Sequence, residues 1–411
     1  MRSKNHHHAQ KTCLLGAVLA GVVLGGGLAV PAHARTAHVP ATAARTATDA
    51  AHAMHAMHAV HATDATDEQL RCLLDDVVKP PVPGAILTVT GPGRAFDGAA
   101  GVYELGGRAL RSSDAFRAAS VTKTMTAAVA LRLAERGDLR LDAPISEYLD
   151  RKLVARIPYG PRITVRQLLD HTAGLYDYVG DEKWFQYVLD HPDKTWKPLE
   201  LVDWALRSGK PYFAPAKGYH YSDTGYVLAG MVIEKAGREP LHRLYRSLLL
   251  EPLKMDRTYL EWWEPHRGPR AHNYLGERDT YHHNPTFDTF GGGGLVSTGA
   301  DLNRFMRGLF EGKVFKNPAT LRTMLRSTPQ SVKAGSPYGL GIARLTATGD
   351  AVYGHSGFFG AFQIYVPKQR LAMTGTLTQA ETVSKKQSSE FIENALRVSL
   401  GKAPTGPCAR P

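Results

Sequence analysis

From Asp67 to Val78 the apolar side chains Leu70, Leu73, Leu74, Val77 and Val78 recur at the spacing of one helix face. Pro80-Pro81-Val82-Pro83 ends that pattern, because proline offers no N–H to a helix. Ala85 to Thr90 and Ala95 to Val102 are short apolar runs joined by Gly91-Pro92-Gly93, which predicts a hairpin. Ser120 to Arg136 is rich in Ala and Leu and predicts a long helix. Further helices are expected near Val165 to Leu169, Leu199 to Leu206 and Asp223 to Ala236, set apart by Gly and Pro. Strands return at Gly339 to Ala343, Ala361 to Val366 and Leu371 to Leu377, and a last helix is expected from Ser384 to Leu400. Strands at both ends and helices between them predict an α/β (α+β) fold, an antiparallel sheet flanked by helices with an inserted, mostly helical domain. The expected α/β part is 67–112 and 335–411, and the helical part 113–334.

The first 66 residues fall outside this pattern. Arg2, Lys4 and Lys11 precede an apolar run from Leu14 to Val30, and Pro31-Ala32-His33-Ala34 is a small-residue cleavage pattern. Residues 1–34 therefore read as a secretory signal peptide, leaving no stable membrane span after its removal. Residues 35–66 are Ala, Thr and His with almost no large apolar side chain, a composition expected of a disordered linker. His52, His55, His58 and His61 recur every three residues there, and are read as low-complexity filler rather than a metal tract. Nine of the 18 His lie at or before His61, so the His count says little about catalysis.

The formal charge of +12 at first suggests nucleic acid. Beyond the leader, however, no basic run exceeds two residues and no nucleic-acid motif occurs, so the excess is read as solvated surface. Of three cysteines only Cys72 and Cys408 outlast cleavage. An even count in an oxidising compartment predicts one disulfide between them.

Three short motifs carry candidate chemistry. In Ser120-Val121-Thr122-Lys123, helical spacing puts an ammonium one turn from a hydroxyl at a helix start. Ser399-Leu400-Gly401-Lys402 repeats the spacing but runs past a helix end. Tyr221-Ser222-Asp223 offers a phenol as proton shuttle, and His355-Ser356-Gly357 lies at the edge of the terminal strands. Each alone is a cheap pattern: Tyr148-Leu149-Asp150 and His266-Arg267-Gly268 match as well. Order and context separate them, since Ser120 opens an Ala-rich helix, Tyr221 feeds another, and His355 precedes a Gly turn and a strand.

In that order the motifs resemble the serine β-lactamase and D-alanyl-D-alanine carboxypeptidase superfamily, in the branch with class C β-lactamases and secreted Gram-positive carboxypeptidases, whose third motif is His-x-Gly. The similarity extends through Ile163 to Leu169, His171-Thr172-Ala173-Gly174-Leu175, Tyr219 to Lys235 and Gly294-Leu295-Val296-Ser297-Thr298. The resemblance implies that Ser120 is an acylated nucleophile, that Lys123 and Tyr221 activate it and move its proton, and that His355 orients Tyr221. It implies an oxyanion hole from the backbone N–H groups of Ser120 and Phe358, and it requires no metal or organic cofactor.

Two departures stand out. The family's Tyr-x-Asn is here Tyr221-x-Asp223, so a group that donates and accepts becomes one that only accepts, and it could pair with Lys123. The carboxypeptidases' carboxylate-holding Arg falls at Ala343, with Arg344 one residue along on the opposite face of the strand, and their hydroxyl residue after the His motif is Phe358. Phe358, Phe359, Tyr176, Tyr178 and Trp184 are candidates for an apolar cleft. Gly291 to Gly294 reads as a flexible loop lining it, with Ser297 or Thr298 capping a helix near Asp301. The expected protein is a secreted, monomeric serine hydrolase for peptide, β-lactam or ester substrates, with D-amino-acid peptides of cell-wall peptidoglycan first. The alternatives are a broad esterase, a class C-like β-lactamase and a non-catalytic penicillin- or wall-binding protein.

Overall fold

The computed structural model describes residues 65–409 apart from position 348. The leader and nearly all of the linker, with its His tract, lie outside the described residues. The chain's two ends meet in one six-stranded antiparallel sheet built from β1 (Gly84–Gly91), β2 (Arg94–Gly101), β3 (Ala343–Ala347), β4 (Asp350–Ser356), β5 (Ala361–Val366) and β6 (Leu371–Leu377). Its order is β2-β1-β6-β5-β4-β3. β1 and β2 form the expected hairpin, with Gly91 opposite Arg94, and β1 then pairs with β6, Ala85 opposite Leu377.

The central strands are apolar almost throughout because helices cover both faces. Ala85, Leu87 and Val89 of β1 join Phe362, Ile364 and Met373 in one core, under helix α1 (65–77) and the last helix. Ile86, Ala361, Ala372 and Tyr365 point the other way into the larger core of the helical body. Alternate residues thus serve opposite layers, as a pleated strand requires.

Four more helices frame the site: α2 (Thr122–Arg136), α3 (Asp223–Gly237), α4 (Gly299–Phe310) and α5 (Glu381–Ser399). Each starts or packs for a readable reason. Ser222 Oγ accepts the Gly225 N–H at the start of α3, and Thr298 Oγ1 accepts the Asp301 N–H at the start of α4. α2 ends at Gly137, whose φ of +81° suits glycine. Cys72 of α1 is disulfide-bonded to Cys408. No helix among the described residues is long and apolar enough to cross a membrane.

Two expectations shift. The strand expected at Gly339 to Ala343 lies instead at Ala343–Ala347. Gly339 and Gly341 are needed for close approach: a Cβ at Gly341 would lie 2.5 Å from the Lys123 carbonyl, and one at Gly339 would strike the Met324 carbonyl. The strand carrying the His motif, β4, has no alternating pattern to announce it, because Gly354 sits directly against the Gln363 carbonyl.

Candidate active site

The chain enters the site through an extended pair, Phe116–Arg117 against Val296 and Ser297. It then turns sharply: Ala119 has φ +45°, the left-handed region that costs an L-residue about 1–3 kcal/mol. A 3₁₀ turn, Ala119–Val121, carries Ser120, and α2 begins at Thr122. The turn is held from across the cleft. A Cβ on Gly357 would lie 2.5 Å from the Ala118 carbonyl and 3.1 Å from the Ala119 Cβ. The glycine of the His motif is thus a packing requirement of the serine turn. Gly357→Ala is expected to displace that turn and lower the acylation rate by about 10²-fold. Stopped-flow labelling with a chromogenic cephalosporin or an active ester checks this.

Lys123, wholly buried on the first turn of α2, lies below Ser120. Its Nζ donates to Ser120 Oγ at 2.8 Å, Gly292 O at 2.7 Å and Asp223 Oδ1 at 2.5 Å. Three acceptors match the three N–H bonds of an ammonium. When one proton leaves, two N–H bonds remain for Asp223 and Gly292, and the lone pair faces the Ser120 hydroxyl.

The glycine run 291–294 is therefore no flexible lining loop. Thr126 Oγ1 donates to Gly291 O at 2.6 Å, and a Cβ at Gly291 or Gly293 would strike the Tyr226 carbonyl or the Asp288 carboxyl. The segment is packed against α2 and α3, and the carbonyls of Gly291 and Gly292 are held by Thr126 and Lys123 of α2.

Tyr221, half-buried just before α3, places its hydroxyl in a hydrogen bond with Ser120. Burial first, and the Asp223 charge second, hold this phenol well above its ordinary range, so it rests protonated. Asp223 stands at the start of α3, where the helix dipole favours a carboxylate. Its N–H donates to Asp177 Oδ1 at 2.9 Å.

Asp177 itself is buried beside Asp223, and burial pushes its carboxyl up to about 7. Its folded form binds a proton more tightly than the unfolded chain. That stabilisation is complete below the unfolded range near 4 and is lost as pH rises through about 7. The same sign holds for Asp288 and Glu381, both raised to about 7 chiefly by burial. Thermal stability is expected to fall between about pH 4 and 7 and to level off above that, and Asp177→Asn to flatten that fall. Melting temperatures in one buffer series check both.

His355 ends β4 and is buried. Its Nδ1 lies 2.6 Å from the Ser356 carbonyl, which can only accept, so the proton is assigned to Nδ1. Nε2 then accepts from the Tyr338 hydroxyl at 2.9 Å. Burial, reinforced by Lys123, pushes this imidazole down to about 3 and keeps it neutral. The expected orienting contact with Tyr221 is replaced by this bond to Tyr338, and the Tyr221 and His355 rings are 6.1 Å apart.

Sequence reasoning missed two residues here. Tyr338 belongs to no motif. His171, within the stretch His171 to Leu175, packs its ring at a tilt against Tyr221 at 4.3 Å and Tyr338 at 4.8 Å, and its Nδ1 accepts the Ser222 N–H. Aromatics clustered around a buried neutral His leave no local sequence signal.

Ser120, Tyr221, Asp223, His355, Ser356 and Phe358 all line one cleft of about 1030 Å³, counted to its open mouth. Gly357 stands behind it, against the serine turn. Of the expected apolar lining, Trp184 and Phe358 are in the wall. Phe359 is buried against Phe287, Tyr178 against Trp184, and Tyr176 stacks on Tyr212. Ala343 and Leu345 face the cleft, while Arg344 between them is exposed on the other face of the strand. Among the described residues no group of three or more His, Cys, Asp or Glu is placed to hold a metal.

The family model described as Beta-lactamase matches residues 70–396. Penicillin-binding protein 4* of Bacillus subtilis is 34% identical over 152 residues, 37% of this chain and 32% of that protein. Esterase EstB of Burkholderia gladioli is 36% identical over 162 residues, 36% of this chain and 39% of the esterase. The chain thus spans only 32% and 39% of the length of these two curated relatives. A solved D-stereospecific amidohydrolase from Streptomyces sp. superposes with a TM-score of 0.70 at 28% identity, covering 79% of this chain and 97% of that one. A family match that begins in α1, ends in α5 and encloses every motif that meets at the cleft makes this chain a member of the β-lactamase family.

Proposed function

We propose that the protein is a secreted serine hydrolase that cleaves amide or ester bonds of D-amino-acid substrates through an acyl-enzyme on Ser120. The observation that carries this reading is the set of three acceptors around Lys123 Nζ, with the Ser120 hydroxyl as one of them. As Ser120 Oγ attacks the substrate carbonyl carbon, its proton passes to Nζ and one Nζ proton passes to Asp223. The oxyanion forms between the backbone amides of Ser120 and Phe358. Tyr221, kept protonated, gives its proton to the leaving nitrogen or oxygen as that bond breaks. The proton on Asp223 returns through Lys123 to Tyr221, so the net transfer runs from Ser120 to the leaving group. Water then attacks the acyl carbonyl by the reverse route, and Ser120 regains its proton. His355 and Tyr338 form the wall beside Tyr221.

The cleft supports substrates whose scissile bond is not followed by a free carboxylate. Among the described residues no Lys or Arg lines it, Arg344 faces away, and Phe358 presents a ring where a hydroxyl would hold a carboxylate. The amidohydrolase and esterase relatives fit the same reading. Amides of D-alanyl-D-alanine peptides and short-chain esters are expected to be cleaved at least as well as the free acids, by kcat/KM. A strong preference for free acids would overturn this assignment of the wall. The penicillin-binding relative supports a second reading, a β-lactam target or β-lactamase. Fluorescent penicillin separates the two, since lasting label marks a peptidase and rapid loss of label a β-lactamase. Secretion is read from residues 1–34, and a mature chain beginning at Arg35 in culture medium is its test.

A further inference from the structure

Tyr221 belongs to irregular chain just before α3, yet its hydroxyl has to meet Ser120 within the tolerance of a hydrogen bond. The chain that leads into it is laid along residues 171–174. The Gly174 carbonyl accepts the Tyr212 N–H at 2.9 Å, and the Thr172 carbonyl accepts the Ala216 N–H at 2.9 Å. His171 then takes hold of three successive residues. Its carbonyl accepts the His220 N–H at 3.1 Å, its ring lies 4.3 Å from the Tyr221 ring, and its Nδ1 accepts the Ser222 N–H at 3.1 Å.

Packing alone does not account for this side chain. His171 is 2% exposed and has φ +60°, a left-handed conformation that Asn, Asp and His enter more readily than other L-residues. With Nδ1 accepting a backbone N–H, the proton of the neutral ring is assigned to Nε2. The ring is packed among those of Tyr219, Tyr226 and Tyr338, and its Nε2 meets no hydrogen-bond partner among the described residues. A buried donor without a partner is destabilising, and a phenylalanine ring would fill the space without it. Burial, helped by the Lys123 charge, holds this imidazole well below its ordinary range and so keeps the Nδ1 lone pair free to accept.

We infer that His171 is a positioning residue for Tyr221, clamping it through its ring and through both neighbouring residues so that the phenol can deliver its proton to the leaving group. This rests on the reading of Tyr221 as the proton donor to that group. No other side chain supplies both contacts here. Asparagine keeps an acceptor at the place of Nδ1 and tolerates the left-handed backbone, but it has no ring; phenylalanine keeps a ring and has no acceptor. A group displaced by about 1 Å loses roughly 10²-fold in rate, and the loss shows where the proton of that group is needed. An alkoxide needs it in order to leave, whereas 4-nitrophenolate, a weak base, departs without it.

Ethyl and 4-nitrophenyl esters of one acid, compared by kcat/KM, separate positioning from general damage. In His171→Phe the value for the ethyl ester is expected to fall about 10²-fold, and that for the 4-nitrophenyl ester by a factor at least about tenfold smaller. His171→Asn should lie between the wild type and His171→Phe on the ethyl ester. Equal losses on the two esters in both variants, or no loss on the ethyl ester, overturn the inference. Hydrogen–deuterium exchange of the intact protein tests the clamp without catalysis. Peptides covering His220 to Ser222 are expected to exchange faster in His171→Phe, with α2 unchanged, and to stay near the wild type in His171→Asn. Unchanged exchange of those peptides in His171→Phe overturns the clamp whatever the esters show. A wild type that cleaves neither ester sinks the proposed activity, and the exchange result then decides by itself whether His171 holds Tyr221.

Discussion

Replacing Ser120 by alanine is expected to lower kcat/KM for the best ester or amide by roughly 10⁴-fold or more, and to abolish covalent labelling by penicillin or a fluorophosphonate. The size follows from the geometry. Ser336 and Ser356 also line the cleft, but Ser120 is the hydroxyl in contact with both Lys123 and Tyr221. It also stands at the start of a helix, where backbone amides face developing negative charge. Ser336→Ala is the control and keeps its label. Intact mass spectrometry reads both. Stoichiometric labelling of the alanine variant would remove Ser120 from the mechanism.

Lys123→Met is expected to lose turnover and about 3–5 kcal/mol of stability together, because it leaves the Asp223 carboxylate buried without its counter-ion. The double variant Lys123→Met/Asp223→Asn removes that stranded charge. It should recover most of the stability and none of the activity. What it does not recover belongs to Gly292 O, which loses its donor. Urea unfolding of the four proteins of the cycle, with the midpoint moving at constant slope, measures the coupling. Additive losses would mean that the pair at 2.5 Å is not an ion pair in the folded protein.

Much of this was legible in the chain. The hairpin, β5 and β6 fall where their apolar runs lie, because strands buried on both faces need little else to specify them. Ser120 and Lys123 were legible because one helical turn fixes their spacing. What the sequence hid depends on distant chain. Tyr338 becomes a partner of His355 only through the turn before β3. The run 291–294 looks loose as sequence because four glycines suit flexibility and close packing equally. Its neighbours Tyr226 and Asp288 decide between the two.

The pairing of β1 with β6 has a consequence for how the molecule comes into being. The hairpin is synthesised early, yet its inner strand finds its neighbour only when Leu371–Leu377 has been made, and the bridge from Cys72 waits for Cys408 later still. For nearly the whole of synthesis the hairpin has an open, apolar edge, and the Ser120 turn lacks the Gly357 that presses on it. Long-range closure of this kind is slow and leaves aggregation-prone edges. A chain with this order of strands gains an intact reaction centre in one late, cooperative step, so a product truncated before β6 would be inert.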